Sequence, residues 1–170
     1  MRVISGKYKS RILKSPQTEN VRPTTDRARE TLFNVLNNLI DFEGIKGMDL
    51  FCGTGSFGIE CLSRGAGFCT FVDFNTKTVE ENIKMLKLEE NSKIVRGDVL
   101  KFTDSELNSA LVFADPPYEF EYYDKLIARV LKSETMFVLE HSDKINFKKD
   151  FSNRVFLEKK IGISHFTFFR

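Results

Sequence analysis

The chain is 170 residues long, with 41% hydrophobic and 29% charged residues, which fits one globular domain and leaves little room for a second. No run reaches the roughly 18 apolar residues of a membrane span, and the opening Met1 to Lys7 lacks the apolar core of a secretion signal, so a cytoplasmic protein without a membrane partner is expected. The net charge of +2 hides an asymmetry: residues 1–29 carry eight basic and two acidic side chains, net +6, while the other 141 carry 18 basic and 22 acidic, net −4.

Residues Arg2 to Leu13 read as two short strands around Ser5-Gly6-Lys7, a basic hairpin with Arg2, Lys7, Lys9 and Arg11 on its outer face. A cationic arm on a slightly acidic body is the pattern of a protein that grips a phosphate backbone. After Pro16, the residues Thr24-Thr25-Asp26 offer caps for a helix running to Ile40, with Ala28, Leu32, Val35, Leu36 and Leu39 on one side. Gly44 and Gly47 then break the chain.

From Lys46 strands and helices alternate: strand Gly47 to Cys52, helix Phe57 to Ser63, strand Phe68 to Phe74, helix Thr76 to Leu88, strand Lys93 to Arg96. A loop or short helix leads through Leu107 to the strand ending at Asp115, a helix from Tyr122 to Leu131 and a strand from Thr135 to Glu140. This alternation predicts a parallel sheet covered on both faces, with ligands at the carboxyl ends of its strands. Val155 to Lys160 and Ile161 to Phe169 read as a closing antiparallel hairpin. Cys52, Cys61 and Cys69 match no zinc spacing, and His141 and His165 stand apart from other ligands, so free thiols and no metal are expected.

Two motifs carry chemistry. Gly53, Gly55 and Gly58 follow a strand, open a helix and satisfy G-x-G-x-x-G, and Asp73 lies twenty positions past Gly53, where a ribose hydroxyl would be held. An adenosine cofactor is expected. Asp49, on the strand before the loop, repels a pyrophosphate but suits the ammonium or sulfonium of S-adenosylmethionine, and Asp98 after Gly97 can accept from an adenine amine. Both favour S-adenosylmethionine over NAD, although an NAD-dependent oxidoreductase stays open at this stage. The second motif, Asp115-Pro116-Pro117-Tyr118, joins a carboxylate, a stiff backbone and an aromatic plane. Asp115 and the Pro116 carbonyl can draw the lone pair of an exocyclic base amine back onto its nitrogen, and Tyr118 can stack on the base. The turn alone does not separate guanine N2 from adenine N6, in RNA or DNA.

Together with Arg22-Pro23-Thr24-Thr25-Asp26-Arg27-Ala28-Arg29-Glu30 and the basic opening segment, these motifs resemble the RsmD family of 16S rRNA guanine-N2 methyltransferases, over residues 2 to about 140. The resemblance implies an α/β, Rossmann-like class I S-adenosylmethionine-dependent methyltransferase fold. Its mostly parallel seven-stranded sheet would carry a C-terminal antiparallel hairpin and a short basic N-terminal hairpin, with residues 1–21 as arm and 22–170 as methyltransferase domain. It places Arg22, Pro23, Thr24, Asp49, Phe51, Gly53, Gly55, Asp73, Phe74, Asp98 and Val99 around S-adenosylmethionine. The target amine falls to Asp115, Pro116, Pro117 and Tyr118, and the RNA to Arg2, Lys7, Lys9, Arg11, Arg27 and Arg29. The implied partner is 16S rRNA within an assembling small subunit, met by a monomer.

Overall fold

The computed structural model describes residues 1–15, 26–101, 108–143, 145 and 149–170. Among them, seven strands form one sheet in the order β3-β2-β1-β4-β5-β7-β6. The strands are β1 (Lys46–Leu50), β2 (Phe68–Asp73), β3 (Ser92–Arg96), β4 (Leu111–Ala114), β5 (Met136–His141), β6 (Val155–Ile161) and β7 (Ser164–Phe169). The first five pair in parallel, and β7 runs antiparallel between β5 and β6. The helices are α1 (Asp26–Asn37), α2 (Ser56–Ser63), α3 (Lys77–Leu86) and α4 (Tyr123–Val130).

Central strands of a parallel sheet are covered on both faces and so read as continuous apolar runs. All four residues of β4 are buried, as are Met48 to Leu50 of β1. On one face α1 packs Leu32, Phe33 and Leu36 into a cluster with Phe57, Phe113, Phe166 and Phe168. On the other, α4 lays Leu126, Ile127 and Val130 over Val112, Phe137, Leu139 and Phe169. The α4 positions recur at three- and four-residue steps, the spacing of one helical face.

Several boundaries differ from expectation for local reasons. Helix α1 stops at Asn37 rather than Ile40, because the amides of Asn38 and Leu39 bond only three residues back, to Val35 and Leu36. Its buried face is Arg29, Leu32, Phe33 and Leu36, so Ala28, Val35 and Leu39 are only partly covered. Strand β1 ends at Leu50, since Phe51 turns to φ 57°. Ile161 closes β6 instead of opening β7, because Gly162 takes φ 64° and makes the turn.

The N-terminal hairpin is looser than two strands: one antiparallel bridge joins Arg2 and Ile12. Val3 N–H donates to Arg11 O at 2.9 Å and Leu13 N–H to Met1 O at 3.1 Å. Ladder growth stops at the tip because the next amides are engaged elsewhere. The Glu60 side chain of α2 accepts Ile4 N–H at 2.7 Å and Ser5 N–H at 3.0 Å.

Candidate functional site

The carboxyl ends of β1, β2, β4 and β5 open on one edge of the sheet, where the chain leaves toward α2, α3 and α4. The loop after β1 turns sharply, with Phe51, Gly53 and Gly55 at φ 57°, 53° and 75°. A Cβ on Gly58 would lie 2.4 Å from the Phe71 ring, so this glycine lets α2 approach β2. Gly53 differs: nothing lies within 4 Å of its would-be Cβ, and the loop is open there. Gly55 faces inward, toward Val79 and Phe71.

Asp73, at the end of β2, accepts Gly53 N–H through Oδ2 at 2.9 Å and Asn75 N–H through Oδ1 at 3.0 Å. This ties the glycine loop to the neighbouring strand and leaves further lone pairs on both oxygens. Beside it Phe74 is 63% exposed, a bare aromatic plane at the strand end. Asp98 caps the short turn Val99–Lys101 by accepting Leu100 N–H at 2.9 Å. Val99 is buried in the α4-side core.

Asp49 is 2% exposed and accepts Gly58 N–H at 2.9 Å. Burial pushes its pKa up to about 8; the Gly58 N–H opposes this, and the charge of Asp73 adds to it. Asp115 follows β4, with its N–H 3.5 Å from Leu50 O. Its side chain reaches solvent, but the protein atoms around it push its pKa up, and the charges of Glu140 and Asp49 push it further. Pro116 is buried, and Pro117 O accepts Phe120 N–H at 2.9 Å, closing a turn that leaves Tyr118 79% exposed. Phe51 meets Phe120 edge-on at 5.1 Å between ring centres.

A small cavity of about 40 Å³ lies among these elements, lined by Arg29, Asp49, Phe51, Ser56, Asp115 and Glu140, with apolar walls including Phe57 and Phe113. Sequence reasoning placed Arg29 on the RNA-binding surface; the structure places it here. Arg29 is 2% exposed, its Nη2 donating to Asp26 at 2.9 Å and to the Arg2 carbonyl, while Nε and Nη1 have no hydrogen-bond partner among the described residues. Burial lowers its pKa, with Asp26 and Glu60 opposing. Glu140 was missed altogether. Its signal was a carboxylate ending the apolar run Met136 to Leu139, just as Asp115 ends Leu111 to Ala114. Arg2, Lys7, Lys9, Arg11 and Arg27 are exposed, whereas Arg22, Pro23 and Thr24 lie outside the described residues. A larger hollow of about 480 Å³, between Asn37 to Phe42 and Arg64, reaches none of these groups.

The family described as Conserved hypothetical protein 95 matches residues 1–170, the whole chain. A Bacillus subtilis protein, the candidate rRNA methyltransferase YlbH, is 34% identical over 172 residues, covering 94% of this chain and 92% of its own. The ribosomal RNA small subunit methyltransferase D of Escherichia coli K12 is 34% identical over 143 residues, 82% of this chain and 67% of its own. This chain is a member of the RsmD family. Among solved structures, the candidate methyltransferase yhhF of Escherichia coli superposes with a TM-score of 0.78 at 27% identity, covering 99% of this chain and 96% of that one. The overall fold is thus shared with this solved relative. Among the described residues no helix is long and apolar enough to cross a membrane, and no group of three or more His, Cys, Asp or Glu is placed to hold a metal ion.

Proposed function

We propose that this RsmD-family chain is an S-adenosylmethionine-dependent methyltransferase that modifies the exocyclic N2 amine of a guanine in small-subunit ribosomal RNA. One observation carries the reading: Asp115 stands at the open end of β4, between the glycine loop and the outward Tyr118, on a proline-stiffened backbone. The relatives named as rRNA methyltransferases, at 34% identity, support ribosomal RNA as the substrate class.

The residues present suit the cofactor. Gly53 leaves open space beside the loop, Asp73 offers remaining lone pairs to ribose hydroxyls, and Phe74 presents a free face for a purine. The buried Asp49, which accepts Gly58 N–H, is matched by an ammonium group. S-adenosylmethionine, when bound, supplies an electrophilic methyl group on a sulfonium centre.

The chain's own task is to make a poor nucleophile reactive. The lone pair of a guanine N2 amine is delocalised into the ring; acceptors aimed at its N–H bonds favour the tetrahedral nitrogen of the transition state over the planar ground state. Asp115 and the Pro116 carbonyl are those acceptors, and their backbone is fixed before substrate arrives. Tyr118 stacks on the base, a contact worth roughly 1–3 kcal/mol. Once nitrogen is alkylated its spare proton is acidic, and Asp115, with its raised pKa, is suited to accept it. The unstacked guanine this requires is cheapest in a loop or bulge.

The test is incubation with methyl-labelled S-adenosylmethionine and total cellular RNA and DNA, followed by primer extension and nucleoside mass spectrometry. Label is expected in small-subunit RNA as N2-methylguanosine. Label confined to DNA would overturn the RNA assignment.

A further inference from the structure

The paired strands place a second carboxylate beside Asp115. Leu50, Ala114 and Leu139 form one row across β1, β4 and β5, and one step further along the parallel strands lie Phe51, Asp115 and Glu140. Side chains alternate faces along a strand, so Asp115 and Glu140 share the face of Phe113 and Val138, the one covered by α1 and α2. Both line the same small cavity. Glu140 is 7% exposed.

We propose that Glu140 determines base specificity by accepting the N1–H of the target guanine while Asp115 holds the neighbouring N2 amine. This rests on the guanine-N2 reading above. The Watson–Crick edge of guanine presents N1–H and N2–H side by side, two donors for two acceptors. The edge of adenine presents the N6 amine beside N1, which is itself an acceptor. An ionised Glu140 therefore repels adenine N1 where it binds guanine N1–H, and discrimination comes from this mismatch as much as from the attraction.

The charged surroundings are compatible with two ionised carboxylates once the base is present. Asp49 approaches from β1 as a third acid, Tyr123 of α4 feels the Asp115 charge, and His141 and His165 pair across β5 and β7 with ring centres 5.9 Å apart. Against these stands the buried Arg29, from α1, with two guanidinium nitrogens that have no hydrogen-bond partner among the described residues. The two base donors and this cation offset the repulsion between the carboxylates. In the free enzyme desolvation by the surrounding protein, joined by the charges of Glu140 and Asp49, raises the proton affinity of Asp115, so activity falls as pH drops through its raised pKa. Removing the Glu140 charge lowers that pKa and moves the acid limb of the rate profile to lower pH.

The experiment uses the full chain, S-adenosylmethionine, and small-subunit ribosomal particles from cells lacking the enzyme, with the methylated nucleoside identified by mass spectrometry. Wild type is expected to form N2-methylguanosine. Glu140→Gln is expected to lose roughly tenfold to a hundredfold in kcat/KM, the range of one base-edge contact. Its acid limb shifts to lower pH, and its calorimetric affinity for S-adenosylmethionine is unchanged. A Glu140→Gln enzyme with wild-type kcat/KM and an unmoved acid limb overturns the inference but leaves the guanine reading intact. N6-methyladenosine from the wild type removes both. Should Glu140→Gln fail to fold by circular dichroism, Glu140→Asp keeps the charge but withdraws it by one methylene. That variant must raise KM for the particles with the acid limb in place; an unaltered KM overturns the inference.

Discussion

At Asp49 the cost of burial is written into its proton affinity. In the unfolded chain this carboxyl titrates near 3.8, whereas in the folded protein burial carries it to about 8. Between those values the folded state binds the extra proton, so stability falls as pH rises through this window, by at most about 1.4 kcal/mol per pH unit. Asp49→Asn keeps an acceptor for Gly58 N–H and has no charge to bury. Urea midpoints of ligand-free wild type and Asp49→Asn should therefore diverge from pH 5 to pH 8, the variant becoming the more stable; parallel curves would refute the raised pKa. The neighbouring acids divide their labour differently. Asp115→Ala should retain S-adenosylmethionine affinity by calorimetry while losing roughly a hundredfold or more in kcat, the scale of a lost transition-state contact. Asp73→Ala should weaken the cofactor roughly tenfold to a hundredfold, since it removes a charged acceptor and unties Gly53. Equal losses of cofactor affinity in both would sink this division. Asp115 was legible in the sequence because it ends an apolar strand just before two prolines, and Asp49 and Asp73 because one precedes the glycine loop and the other lies twenty positions past Gly53. Arg29 and Glu140 were not: Arg29 sits in a basic run that resembles a solvated face, and Glu140 becomes significant only when β5 pairs with β4.

The helix α2 shows how one element positions another. Glu60 has no exposed surface, yet its carboxylate accepts Ile4 N–H, Ser5 N–H and, at 2.8 Å, Arg64 Nε. Ser63 completes the dock by accepting Tyr8 N–H at 3.0 Å and donating to the Ser5 carbonyl. The arm is thereby held in place before any nucleic acid arrives, and its entropy of ordering is met in folding. Glu60→Gln substitutes an NH2 for one acceptor and sets it against a backbone N–H. The expected loss is about 2–3 kcal/mol, or roughly 4–12 °C in Tm for a chain of this size. Limited trypsin digestion should then cut at Lys7, Lys9 or Arg11 faster than in wild type. Unchanged cleavage would mean the arm is held by its apolar contacts, Val3 and Leu13, alone. Local pattern foretold a hairpin here but not its single bridge, because the competing acceptor lies 55 residues away in sequence. The α1 face was misjudged for a similar reason. Phe33 packs against Phe57 with ring centres 5.0 Å apart, a contact no helical period could announce.

Across the whole molecule, the alternation of strand and helix foretold the parallel sheet, since right-handed crossovers leave few other arrangements. The placing of β7 between β5 and β6 was beyond it, for pairing order between distant strands leaves no trace in local periodicity. The charge asymmetry survives folding in a narrower form. Arg29 is buried, Arg2 pairs with Asp26 at 3.3 Å, and Lys14 pairs with Glu81 at 2.9 Å. Lys7, Lys9 and Arg11 are exposed and make no ion pair among the described residues, so the arm's outward field comes chiefly from these three. If they meet phosphates, each should release close to one counterion. Replacing all three with Gln should weaken RNA binding and flatten the slope of log affinity against log salt by about 2–3. Because the side chains are solvated, stability should shift by less than about 0.5 kcal/mol, which separates this variant from Glu60→Gln. Filter binding to small-subunit RNA at several salt concentrations measures the slope. A slope that stays at the wild-type value would place the arm's cations in solvent and move the phosphate contacts to another face of the protein.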